Sequence, residues 1–104
     1  MNASVELVRT EWDDGRRLLE QARNQPRRYE QLLTQVNLVA DELRKRVGQS
    51  YTLTELAGAY HEAEPWAREL IAERAATPGW PRDLSLVVAA AFHSYQRGAT
   101  DYLT

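Results

Sequence analysis

The sequence contains no cysteine, a single lysine and no hydrophobic run long enough to cross a membrane. Without cysteine the chain forms no disulfide, no thiolate zinc site and no cysteine nucleophile. Its longest apolar run, residues 86–92, has seven residues, whereas a membrane-spanning helix needs about 20. Residues 1–9 include Glu6 and lack a basic segment before their apolar positions, which is not typical of a signal peptide. We therefore expect a cytoplasmic protein.

Motifs of catalysis and metal binding are also missing. The two histidines, His61 and His93, have no partner at the spacing of a zinc motif such as H-E-x-x-H. His93 and Ser94 are adjacent, and neighbouring residues of a helix point in different directions, so they do not make a base–nucleophile pair. The sequence predicts no enzyme, no cofactor and no metal site. An enzyme whose site forms at a dimer interface is the catalytic alternative.

What is present is a chain of ordinary globular composition, with 104 residues, 43% of them hydrophobic and 27% charged. This length and composition predict one domain, residues 1–104, with one core. Apolar residues recur at helical spacing, and proline or glycine interrupts them at Pro26, at 48–52, at Pro65 and at 78–81. The predicted fold is all-α, a small bundle of four to five helices.

Residues 4–25 and 27–47 each carry an apolar stripe and are joined at Pro26, which predicts a long N-terminal antiparallel hairpin. Gly48 and the basic residues before it indicate the end of the second helix. At Gly15 the sequence predicts a close helix crossing, with a bend as the alternative. The stripes consist of Val5, Val8, Trp12, Gly15, Leu19 and Ala22, then Tyr29, Leu32, Leu33, Val36, Val39, Ala40 and Leu43. A hairpin of about 30 Å is long for this chain, so a second copy could cover part of it in a homodimer.

The second half of the chain predicts three more helices. Thr52 and Glu55 have the spacing of a capping box, which indicates a helix start. Pro65 favours a new helix after a joint at 61–64, a kink being the alternative. The segment 83–97, with Asp83 as N-cap, is apolar on nearly all sides and predicts a buried C-terminal helix. Two further predictions are that Trp80 anchors the loop 77–81 and that Tyr102 and Leu103 hold the tail.

Two charged clusters are the candidate binding surfaces. The first is basic and contains Arg16, Arg17, Arg23, Arg27 and Arg28, opposed only by Glu20. It suits an acidic protein surface or a phosphate backbone, although ordinary ion pairs on a solvated face give the same pattern. The second is an acidic run, Glu62, Glu64, Glu69 and Glu73, around Trp66. Because tryptophan is enriched at interface hot spots, Trp66 is the preferred contact residue.

The net charge of −2 gives no overall attraction to nucleic acid or anionic membrane. A helix-turn-helix at 51–76 is not favoured, since its second helix would open with acids facing phosphates. We expect a non-catalytic helical adaptor or regulatory protein that acts through protein–protein contacts, including self-association. A nucleic-acid-associated regulator using the basic face at 16–28 is the alternative. The candidate partner-binding residues are Arg16, Arg23, Arg27, Glu62, Trp66 and Glu69.

Overall fold

Within residues 3–74 and 83–101, which the computed structural model describes, the chain forms five α-helices and no strand. The helices are Ala3–Gln21 (α1), Pro26–Val47 (α2), Leu53–His61 (α3), Ala63–Arg74 (α4) and Leu84–Tyr95 (α5), with 3₁₀ turns at Ala22–Asn24 and Gln96–Gly98. The all-α prediction is confirmed. The loop with Trp80 and the tail residues Tyr102 and Leu103 lie outside the described residues.

Helix α5 is the central packing element. Its buried residues are Leu84, Val87, Val88, Ala89, Ala90, Ala91 and Phe92, so nearly every side of the helix faces protein. It packs most extensively against α1 and next against α2, whereas α1 and α2 make few direct contacts with each other. The two arms of the N-terminal hairpin are thus joined mainly through α5, which covers the apolar stripes of both.

The crossing of α1 and α5 is close at Gly15. A methyl group built on Gly15 would lie 2.5 Å from the Ala89 Cβ and 3.1 Å from the Ala90 nitrogen. Helix α1 is continuous from Ala3 to Gln21, so the helix does not break at Gly15, and the close crossing accounts for this glycine. One turn earlier, Trp12 is fully buried and stacks on Phe92 with ring centroids 5.7 Å apart.

Helix α2 begins with Pro26 and ends at Val47; the next residue, Gly48, has a φ of 88°, which favours glycine. Four residues of its predicted stripe are buried: Leu32, Val36, Val39 and Leu43. Leu33 is 37% exposed, and Gln35 is buried instead. The buried positions 32, 36, 39 and 43 recur at steps of four and three, which places them on one side of the helix. Leu33 lies about 100° away from Leu32 around the helix axis, outside the stripe that α5 covers.

Helices α3 and α4 are separate, as predicted, with Glu62 alone between them. The capping box at the start of α3 is confirmed, since the Glu55 amide donates to the Thr52 hydroxyl at 3.1 Å and the Thr52 amide donates to the Glu55 carboxylate at 3.2 Å. Pro65 lies in the first turn of α4, where its missing amide hydrogen removes no helical hydrogen bond.

Three hydrogen bonds fix α5 and the residues after it. Asp83 occupies the N-cap position, but its side chain does not cap; it accepts a hydrogen bond from Arg28 Nη2 at 3.0 Å. Beyond Gly98, the Thr100 amide donates to the Tyr51 carbonyl at 2.8 Å, and Asp101 accepts from the Leu53 amide at 2.9 Å. Thr100 and Asp101 are therefore tied to Tyr51 and to the first residue of α3.

Candidate functional site

The basic cluster is largely neutralised by carboxylates of this chain. Its ion pairs are Arg16 with Glu20 at 3.3 Å, Arg17 with Asp14 at 3.3 Å, Arg23 with Glu20 at 3.7 Å and Arg28 with Asp83 at 3.0 Å. Asp14 and Asp83 join the Glu20 foreseen from the sequence, so five arginines face three acids and the net charge of the cluster is +2. Among the described residues, Arg27 has no ion pair.

The acidic residues along α4 differ from the basic cluster in their ion pairing. Glu62, Trp66, Glu69 and Glu73 follow one another at steps of four, three and four, so they share one side of the helix and its preceding joint. We call these four residues the acidic face. Its three glutamates are exposed, and in the part of the chain that the structure describes none of them has an ion pair. Glu64, on another side, pairs with Arg68 at 3.8 Å.

Trp66 joins the acidic face to the body of the protein. Its side chain is half-buried at the edge of the core, and the Arg46 guanidinium lies 4.7 Å from its ring centroid. Arg46 also donates from Nε to Glu42 at 3.0 Å. This cation–π contact links α4 to the last turn of α2 and holds the indole in place beside Glu62 and Glu69.

The predicted site residues thus fall into two groups on different elements. Glu62, Trp66 and Glu69 are brought together on the acidic face, while Arg16 and Arg23 share Glu20 on α1 and its 3₁₀ turn. Trp12, in contrast, belongs to the core and is not available to a partner.

A groove that the sequence did not indicate lies where α1, the α3–α4 joint and α5 meet. It has a volume of about 330 Å³ and is lined by Glu11, Tyr60, His61, Glu64, Ser85 and Val88. Burial, followed by the negative charges of Glu11 and Glu64, raises the pKa of Tyr60 to about 12. His61 and Glu64 stand close in sequence, but Glu11 and Ser85 come from remote segments, and no local pattern indicated them.

A second, shallower depression is lined by Arg44, Gln49, Tyr51, Ser94, Tyr95 and Gly98. Its phenols already have structural partners. The Tyr51 hydroxyl donates to the Tyr95 carbonyl at 2.6 Å, and the Tyr95 hydroxyl donates to the Gly48 carbonyl at 2.6 Å. Burial raises the pKa of Tyr51 to about 12, so at neutral pH this phenol stays a donor. These contacts fasten the end of α5 to the loop after α2.

His93 lies beside Asp13, with Nε2 3.1 Å from the Asp13 carboxylate. Burial lowers the pKa of His93 and is the largest influence; Arg16 and Arg97 act in the same direction, and Asp13 opposes them. The pair connects α5 to α1. Over the described residues there is no group of three or more His, Cys, Asp or Glu side chains placed to hold a metal ion.

No described helix is both long and apolar enough to span a membrane. Comparisons of the chain with protein-family models, with curated proteins and with solved structures find no match.

Proposed function

We propose that this protein is a cytoplasmic, non-catalytic adaptor or regulatory protein whose acidic face binds a basic surface of another protein. The observation that supports this most is the contrast between the two charged clusters. The three glutamates of the acidic face project into solvent without ion pairs among the described residues, while four arginines of the basic cluster pair with acids of the same chain.

The form of the acidic face suits a protein interface. Trp66 supplies a rigid aromatic surface between Glu62 and Glu69, and Arg46 holds its ring from one side. An aromatic residue surrounded by charges is the usual anatomy of a hot spot with a polar rim. The three exposed glutamates attract a basic partner and raise the association rate, and binding breaks no ion pair of theirs within residues 3–74 and 83–101.

Nucleic-acid binding is the alternative, and within the described part of the chain the basic cluster has few free cations to support it. Phosphate affinity depends on the number of cations that become available to neutralise the backbone. With a net charge of +2, the basic cluster offers few. Self-association is the other alternative, and it would pair the acidic face of one copy with the basic cluster of another.

Affinity capture from a lysate of the encoding organism tests the proposal. The tagged wild type should retain a protein at near-equal stoichiometry, with or without nuclease. The double variant Glu62→Lys/Glu69→Lys should lose it, with an affinity at least about tenfold weaker, because attraction becomes repulsion. Trp66→Ala should lose it too while circular dichroism still shows a helical protein.

The matched control is Glu6→Lys/Glu30→Lys, which makes the same change of net charge at exposed positions on α1 and α2. It should retain the partner. Recovery of nucleic acid that nuclease and moderate salt remove would contradict the proposal and favour the basic cluster. Equal loss of the partner in both double variants would show that net charge, and not the acidic face, governs binding.

A further inference from the structure

We infer that the groove between α1, the α3–α4 joint and α5 receives an arginine side chain of the protein partner. The inference rests on the proposed function, since it supposes a partner with a basic surface, and it adds where one cation of that surface is held. Three properties of the groove support it: polar side chains without hydrogen-bond partners among the described residues, a negative charge, and a shape that fits one side chain.

Within the described residues, most polar side chains of the groove have no hydrogen-bond or ion-pair partner. Across the described residues, the Glu11 carboxylate, the Tyr60 hydroxyl, the His61 ring nitrogens and the Ser85 hydroxyl make no hydrogen bond or ion pair. Glu64 has only the exposed contact of 3.8 Å with Arg68. Glu11, His61 and Ser85 are exposed, so water solvates these groups in the free protein and a ligand that enters the groove can replace that water. A few polar groups on one concave surface are typical of a ligand site. The depression around Tyr51 and Tyr95 differs, because both phenols there are already bonded.

The charge of the groove selects a cation. Glu11 and Glu64 act on Tyr60 from different helices, and their field helps to raise its pKa. The same field that disfavours a phenolate there favours a bound positive charge. The first turns of α4 and α5 carry partial positive charge, but this amounts to about half a charge for each helix, against the full charge of Glu11 and the charge of Glu64, which Arg68 offsets only in part from 3.8 Å at an exposed position.

The shape and chemistry of the groove favour guanidinium over ammonium. The five N–H donors of arginine can bond a carboxylate with two parallel hydrogen bonds and still reach a hydroxyl. Tyr60 and Val88 line the groove and can contact the methylene groups of the side chain. The Tyr60 ring also packs against Trp12 and Phe92 at centroid distances of 5.8 and 5.2 Å. A volume of about 330 Å³ accommodates one such side chain, while a folded element of a partner does not fit.

The test is a titration of the ¹⁵N-labelled protein with the peptide acetyl-Gly-Arg-Gly-amide, followed by NMR chemical shifts. The control peptide carries citrulline, which has nearly the shape of arginine without its charge, and a third peptide carries lysine. We expect shifts at the amides of Glu11, Tyr60, His61 and Ser85. The arginine peptide should bind at least about fivefold more tightly than the citrulline peptide, since charge-assisted hydrogen bonds are roughly twice as strong as neutral ones.

Glu11→Gln should weaken the binding of the arginine peptide about tenfold, because it removes a carboxylate without changing size. Glu30→Gln, the same change at an exposed position of α2, should leave it unchanged. Equal binding of citrulline and arginine, or shifts confined to other surfaces, would overturn the inference. Equal binding of lysine and arginine would overturn the assignment to guanidinium.

Failure of this inference can be separated from failure of the proposed function. If the acidic-face variants lose a captured protein while the arginine peptide ignores the groove, the inference is wrong and the proposed function stands. If the peptide binds in the groove but no protein is captured, the proposed function is wrong and the groove remains a guanidinium site.

Discussion

At the scale of single residues, two glycines show how packing decides the effect of one methyl group. Gly15→Ala places a Cβ against Ala89 and the α5 backbone. We expect it to lower the free energy of unfolding by about 1–3 kcal/mol, because overpacking forces α1 and α5 apart. Gly58, within α3, has open space where a methyl group would lie. Gly58→Ala should therefore stabilise the protein by roughly 0.5–1 kcal/mol through helix propensity. Urea unfolding measures both, and a stabilising Gly15→Ala would contradict the close crossing.

His93 makes the stability of the protein depend on pH. Burial lowers its pKa below the 6.5 of an unfolded histidine, so protonation favours the unfolded chain. The stabilising contribution of neutral His93 is therefore complete above pH 6.5 and is lost as the pH falls below it. Unfolding free energies at pH 7.5 and 5.5 should differ more for the wild type than for His93→Gln. His61→Gln, at an exposed histidine, should keep the wild-type difference, and an unchanged difference in His93→Gln would contradict this role.

At the scale of helices and their contacts, the Arg28–Asp83 pair fastens α2 to the start of α5. The Asp83 side chain is only 7% exposed, so removal of its partner leaves a buried carboxylate unpaired. Arg28→Ala should lower the free energy of unfolding by about 1–3 kcal/mol, and by less in an Asp83→Asn background, where the acceptor is no longer charged. Arg27→Ala, one residue earlier and exposed, should change it by no more than about 0.5 kcal/mol. Equal effects of the two arginine variants would show that the pair contributes nothing.

The sequence predicts those features of the helices that depend on neighbouring residues, and it does not predict contacts between remote segments. The capping box at Thr52, the stop at Gly48 and the apolar surface of α5 depend on neighbours in the chain, and all three are confirmed. Leu33, predicted as part of the apolar stripe, is exposed and Gln35 is buried, because the position of α5 decides which side of α2 is covered. The Arg28–Asp83 pair and the groove with Glu11 and Ser85 join remote segments. Local spacing carries no information about such contacts.

At the scale of the whole molecule, the described residues are compact, with a radius of gyration of 13.3 Å. The prediction of a homodimer came from the length of the hairpin, and α5 of the same chain now covers its stripes. The exposed large hydrophobic residues of the described chain are Leu7, Leu18 and Leu33. Single leucines on a surface are ordinary and do not require a second copy. Light scattering at high micromolar concentration should give a mass of 11.9 kDa; twice that mass would support self-association.

The acidic face, Glu62, Trp66, Glu69 and Glu73, is the surface that we propose binds the partner. Hydrogen–deuterium exchange of the free protein and of its captured complex tests this proposal most directly, since a bound partner slows exchange of the backbone beneath it. We expect slower exchange over residues 62–74 and unchanged exchange over residues 16–28. Protection confined to 16–28 would contradict the proposal and make the arginines of α1 and α2 the binding surface.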